Sequence, residues 1–103
     1  MPTSEINELR DKLVSQLLPV KIYLFGSFAE GTNNDQSDLD FYIVMKNDGR
    51  NIADLTSQAY RAIRRLKRRP VDILVGTEER FEQRRSMPGI ENEVARKGVL
   101  LYG

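Results

Sequence analysis

Apolar residues recur at helical spacing near the start of the chain, at Ile6, Leu9, Leu13 and Leu17 with Val14 and Leu18 beside them. That spacing predicts an amphipathic helix over about Ser4 to Leu18, with Ser4 as its N-cap and Pro19 as its stop. Lys21 to Phe25 then reads as a first strand. Gly31 to Gln36 is polar and turn-rich, hence a loop. Leu39 to Met45 reads as a second strand, apolar on both faces beyond its aspartate, as expected inside a sheet. After a turn at Asn47-Asp48-Gly49, Asn51 is placed to cap a second long helix. Its buried stripe is Ile52, Leu55, Ala59, Ile63 and Leu66, and Pro70 ends it. Val71 to Val75 is a third strand. Thr77 can cap a short helix, with Glu78 and Glu79 favourably in its first turn. Pro88-Gly89 breaks that helix, Ile90 to Lys97 forms a last one stopped by Gly98, and Val99 to Tyr102 closes the chain as an edge strand. Strands and helices interspersed in this way predict an α/β fold.

With 103 residues, the expectation is one domain spanning residues 1–103. No internal repeat, low-complexity tract or linker interrupts it. The net charge of +1 gives no global reason to expect nucleic acid or a membrane surface as a partner. The longest apolar run, Phe41 to Met45, is far too short to span a bilayer, and Met1 to Glu5 carries neither a basic region nor an apolar signal core. A cytoplasmic location is the default expectation. Histidine and cysteine are both absent from the sequence. That excludes Ser-His-Asp and Cys-His catalysis and the usual zinc sites within the chain. Carboxylates, hydroxyls, lysine, arginine and a metal remain, which narrows the field toward metal-assisted phosphoryl or nucleotidyl transfer.

The candidate chemistry lies between Gly26 and Asp40, in the run GSFAEGTNNDQSDLD. Asp38 and Asp40 alternate at the entry of the second strand, so their carboxylates share a face. Aspartate opposes strand propensity and costs desolvation, and two like charges that close favour a cation between them. Oxygen ligands of this kind suit Mg²⁺, which keeps sites free for water and phosphate oxygens. Gly26 lets the chain turn sharply after the first strand and lets a ligand approach. Ser27, opening a short helix, then offers its hydroxyl and the following N–H groups to an anion. Asp72 is a third carboxylate in an otherwise apolar strand. It reads either as a strand-end residue facing water or, preferably, as a third metal ligand facing Asp38 and Asp40.

This ordered set, Gly26-Ser27, Gly31, Ser37-Asp38 and Asp40, resembles the minimal nucleotidyltransferases (MNT) of the polymerase-β-like superfamily. The resemblance covers nearly the whole chain, though its specificity sits in these positions and in Asp72. It implies a small mixed β-sheet flanked by helices. It also implies that Asp38, Asp40 and Asp72 hold two Mg²⁺ ions, with Asp72 able to accept the proton of the attacking hydroxyl. Gly26 and Ser27 would hold the terminal phosphates of ATP. Ser37 stands with them in the nucleotide-binding set, although shaping the turn into Asp38 is its better reading. Short stand-alone members often serve as antitoxins paired with a small helical HEPN toxin, and some transfer AMP from ATP onto a tyrosine of that toxin. The expected partner is therefore such a toxin, and the expected activity protein adenylylation.

One position departs from the pattern. Many members carry arginine just before the second glycine, where this chain has Glu30. A negative side chain there opposes a triphosphate and favours an alternative, an antitoxin that neutralises its partner by binding alone. Arg61, Arg64, Arg65, Lys67, Arg68 and Arg69 crowd the end of the second long helix. They read as a solvated cationic helix end or as a docking surface for an acidic partner. Contact with RNA phosphates is a weaker reading, because no aromatic residue interleaves the run for base stacking.

Overall fold

Two strands that the sequence separates by a polar loop lie side by side at the centre of the sheet. In a computed structural model that describes residues 3–103, the elements are α1 (Ser4–Leu17), β1 (Lys21–Phe25), α2 (Ser27–Glu30), β2 (Leu39–Met45), α3 (Ile52–Ile63), β3 (Val71–Thr77), α4 (Glu78–Arg84), α5 (Ile90–Lys97) and β4 (Val99–Tyr102). The strand order is β3-β2-β1-β4. β1 runs antiparallel to β2 and to β4, while β2 and β3 are parallel. The expected α/β architecture, a small mixed sheet flanked by helices, is what forms.

Period-two alternation decides which helix covers which face. Ile22, Leu24, Leu39, Phe41, Ile43, Val71 and Ile73 point to one side, where they meet Ile6, Leu9, Leu13 and Leu17 of α1 and Leu55, Ala59 and Ile63 of α3. Each fully buried Leu or Ile there contributes about 1.5–3 kcal/mol. Phe25, Tyr42 and Val44 point to the other side, against Phe81 of α4 and Val94 of α5. Tyr23 stacks on Phe81 there, with ring centroids 5.3 Å apart. This second face is covered only in part, since Asp72 and Leu74 on β3 stay exposed. Asp40 and Asp72, paired in register, lie on that face.

Several boundaries differ from the sequence reading. Thr3, not Ser4, caps α1, accepting the N–H of Ile6 at 3.3 Å. The helix stops at Leu17, because Leu18 turns into the left-handed region (φ 52°) ahead of Pro19. α3 ends at Ile63, well before Pro70; Leu66 and Lys67 instead close turns on the Ile63 carbonyl. Six cations within nine residues repel one another along a continued helix, and two of them are drawn elsewhere. Arg68 lies 3.7 Å from Glu8, and Arg69 grips both oxygens of Glu5 at 3.1 Å while its guanidinium covers the ring of Phe28. β3 continues two residues past Val75, because its pairing with β2 extends to Met45 opposite Thr77. Its outer edge is partly closed, since Tyr60 accepts the Ile73 N–H at 2.9 Å. Among the described residues, no helix is long and apolar enough to cross a membrane.

Candidate active site

β1 delivers Gly26 to the centre of the sheet's open end. The last residue of β1, Phe25, pairs with Asp40 of β2, and Asp40 pairs in parallel register with Asp72 of β3. Residues paired in register share a face, so Asp40 and Asp72 face the same side on neighbouring strands. Asp38 stands just outside β2, with buried Leu39 between it and Asp40. That agrees with the strand bounds read from the sequence, Leu39 to Met45.

Gly26 is needed here for two reasons. Its φ of 76° suits glycine. In addition, the carboxylate of Asp40 occupies the place that a side chain on residue 26 would take. The missing side chain and the acidic one thus fit together. Ser27 follows as the first residue of a single helical turn that is pinned by buried Phe28. The first amide to close that turn is Glu30, on the Gly26 carbonyl at 3.1 Å. The amides before it lack intrahelical partners, as at any helix start. Ser37 lies apart from this elbow. Its hydroxyl accepts the Asn34 N–H at 2.9 Å and its amide returns to the Asn34 carbonyl, so it shapes the loop that leads to Asp38.

The electrostatics of the site centre on Asp40. Burial pushes its carboxyl up to about 6, and the negative charges of Asp72, Asp38 and Glu93 add to that effect. Glu93 of α5 is a contributor that the sequence did not reveal, since nothing in a helical Glu signals which strand it will overhang. Among the described residues, however, no three carboxylates are gathered into a ready cage for one ion. The expected three-ligand convergence is therefore not preformed. Crowded carboxylates without a closed cage still fit a hard cation that takes one or two carboxylates and fills its other corners with phosphate oxygens and water.

Glu30, the residue that departs from the expected pattern, has a cation beside it. Lys97 of α5 approaches its carboxylate to 3.7 Å. Half-exposed, the pair contributes little to stability. Its effect is local, offsetting the negative charge at the far end of the turn that Ser27 opens.

Behind the carboxylates lies a network that no sequence pattern signals. The hydroxyl of Tyr42 donates to Glu91 at 2.9 Å, and Arg80 reaches the same oxygen at 3.5 Å. Glu91 is only 4% exposed. Burial pushes the Glu91 carboxyl up, yet the Tyr42 hydrogen bond, its own backbone amide and Arg80 together hold it below its ordinary value. Burial and the bond to Glu91 push the Tyr42 hydroxyl well above its usual range. Tyr42 lies two residues beyond Asp40 on the same face, and its hydroxyl fills the space left by Gly76. The network thus ties β2, β3, α4 and α5 together beneath the site. Tyr42→Phe leaves a buried carboxylate short of a donor and is expected to cost about 1.5–3 kcal/mol in urea unfolding.

Comparison with known proteins agrees with this architecture. The nucleotidyltransferase domain model matches residues 6–101. No curated protein matches the chain. Among solved structures, a candidate nucleotidyltransferase from Sulfolobus solfataricus is similar with 23% identity and a TM-score of 0.58, over 93% of this chain and 75% of that one. A toxin–antitoxin structure with AMP-PNP is similar with 22% identity and a TM-score of 0.55, over 98% and 74%. A mutant of the toxin–antitoxin MntA–HpeT, with two aspartates changed to glutamate, is similar with 24% identity and a TM-score of 0.57, over 98% and 74%. At these identities, the likeness is one of fold.

Proposed function

We propose that this chain, which belongs to the nucleotidyltransferase domain family, is an Mg²⁺-dependent antitoxin that transfers AMP from ATP to a tyrosine of a small helical HEPN-type toxin. The observation that carries the reading is the row formed by the Gly26 elbow, Asp40 and Asp72 across three neighbouring strands. Bound Mg²⁺ would neutralise charge on the phosphates and on the attacking oxygen. Asp38 and Asp40 would hold it, with Asp72 completing the set as the acceptor arrives. Gly26 and Ser27 receive the terminal phosphates. The acceptor oxygen forms its bond to the α-phosphorus as the bond to pyrophosphate breaks. Asp72, exposed at the sheet's edge, takes the proton and passes it to solvent. Ser37 acts on the nucleotide only through the loop that it holds.

The toxin partner draws support from two of the similar structures, which are toxin–antitoxin assemblies, one of them with AMP-PNP. In the other, the two altered aspartates are separated by one residue, the spacing of Asp38 and Asp40. Glu30 is the observation that favours the second reading, neutralisation by binding alone, and Lys97 beside it weakens that objection to catalysis.

The test is incubation of the chain with its toxin, Mg²⁺ and ATP labelled at either the α- or the γ-phosphate. The α-label is expected on the toxin, with the γ-label released as pyrophosphate and both outcomes abolished by chelation. Toxin that is neutralised without acquiring the α-label would establish the binding-only reading instead.

A further inference from the structure

The geometry points to a groove along β3, beyond Asp72, as the acceptor site, shaped for a tyrosine hydroxyl within an acidic stretch of polypeptide. This inference rests on the nucleotidyl-transfer reading of Asp38, Asp40 and Asp72 given above. In an in-line displacement, the nucleophile approaches opposite the leaving group. Pyrophosphate leaves on the β1 side, where Gly26 and Ser27 stand. The row β1-β2-β3 therefore brings the acceptor hydroxyl in from the β3 side, over Asp72.

What lies next to Asp72 determines which hydroxyl fits. Leu74 is two residues on, about 7 Å along the same face. It is 41% exposed, which leaves an apolar surface open beside a charged one. Leu74 forms one wall of a groove of about 540 Å³ that also takes in Gly76, Arg80, Arg84, Ile90 and Glu91. A phenol with its oxygen at Asp72 lays its ring over Leu74, whereas the short aliphatic hydroxyl of serine or of a ribose leaves that leucine bare. Arg80 and Arg84 stand one helical turn apart on α4, both facing the groove. Arg80 shares its charge with Glu91, and among the described residues Arg84 has no carboxylate partner. The groove thus sets an apolar contact beside unspent positive charge, which suits a tyrosine flanked by acidic residues. Gly76 keeps the groove's floor low by admitting the Tyr42 hydroxyl in place of a side chain.

Random copolymers of glutamate with tyrosine and of lysine with tyrosine serve as probes, with an RNA oligonucleotide bearing a free 3′ hydroxyl as a third acceptor. With α-labelled ATP and Mg²⁺, the chain is expected to label the Glu/Tyr copolymer with a KM at least tenfold below that for the Lys/Tyr copolymer. Leu74→Ser and Arg84→Glu should each raise the Glu/Tyr KM about tenfold, with kcat much less affected, and Arg84→Glu should also narrow the gap between the two copolymers. Thermal melting and titration with a non-hydrolysable ATP analogue check that the variants remain folded and bind nucleotide. Equal use of both copolymers, an unchanged acceptor KM in the variants, or preferential labelling of the RNA overturns the acceptor groove while nucleotidyl transfer itself stands. If the unaltered chain binds no nucleotide, both readings fall together.

Discussion

Asp40→Asn is expected to lower transfer of labelled AMP by roughly a thousandfold or more, since charge stabilisation by a metal is worth several kcal/mol. The same substitution should leave the metal-free fold slightly more stable at neutral pH. The two effects share a cause. Asp40 is pushed up to about 6 from an ordinary 3.8 by burial and by its acidic neighbours. A carboxyl raised in the folded state binds its proton more tightly there than in the unfolded chain. Its contribution to stability is therefore fully present below about pH 4 and is lost as the pH rises through about 6. Because Asp40 is partly exposed, solvent screening holds the loss to about 1 kcal/mol. Thermal melting of the metal-free chain should show stability falling between pH 4 and pH 6, with the fall reduced in Asp40→Asn. Mg²⁺ added at pH 7 should restore stability to the unaltered chain and not to the variant. A residue that weakens the empty fold is one retained for what it binds.

The second large effect is expected from Gly26→Ala. The positive φ alone costs an alanine about 1 kcal/mol. The added methyl also falls where the Asp40 carboxylate lies. An aspartate is too short to retreat without leaving the position in which it faces Asp72, so the collision is resolved by moving the carboxylate or the elbow. A displacement near 1 Å at a reacting centre costs about a hundredfold in rate. Gly26→Ala should therefore lose about 1–2 kcal/mol of stability and at least a hundredfold of transfer. Gly31→Ala provides the comparison. That residue also has a positive φ, 75°, but nothing lies where its side chain would go. It should show the stability loss with little of the activity loss, and melting curves and initial rates on the two variants separate strain from collision.

Much of this site was legible in the residues between Gly26 and Asp40, for a physical reason. A glycine directly after an apolar strand and an aspartate directly before one both oppose local preference, so each calls for a cause outside its own segment. Asp72 carried the same signal, and the parallel register of β2 and β3 put it opposite Asp40. Helix starts marked by Asn51 and Thr77 were equally plain, and their side chains do cap Asp54 and Arg80. The end of α3 was not, because an arginine-rich run has good helical propensity; repulsion among its cations and the pairing of Arg69 with Glu5, with Arg68 near Glu8, oppose that propensity. The partnership of Tyr42 with Glu91 was invisible for a related reason. A glutamate in the first turn of a helix is ordinary, and its burial follows from how α5 packs on the sheet, which periodicity does not specify. Lys97 beside Glu30 likewise joins two segments that no local pattern connects.

The measurement that bears most directly on the row of Gly26, Asp40 and Asp72 is calorimetric titration with a non-hydrolysable ATP analogue, with and without Mg²⁺. It should be run on the unaltered chain and on the Asp40→Asn, Asp72→Asn double variant. Binding that requires Mg²⁺ in the unaltered chain and is lost in the double variant is the result expected. Equal binding with and without the metal, or full binding by the double variant, would contradict the assignment of these carboxylates to a metal–nucleotide site.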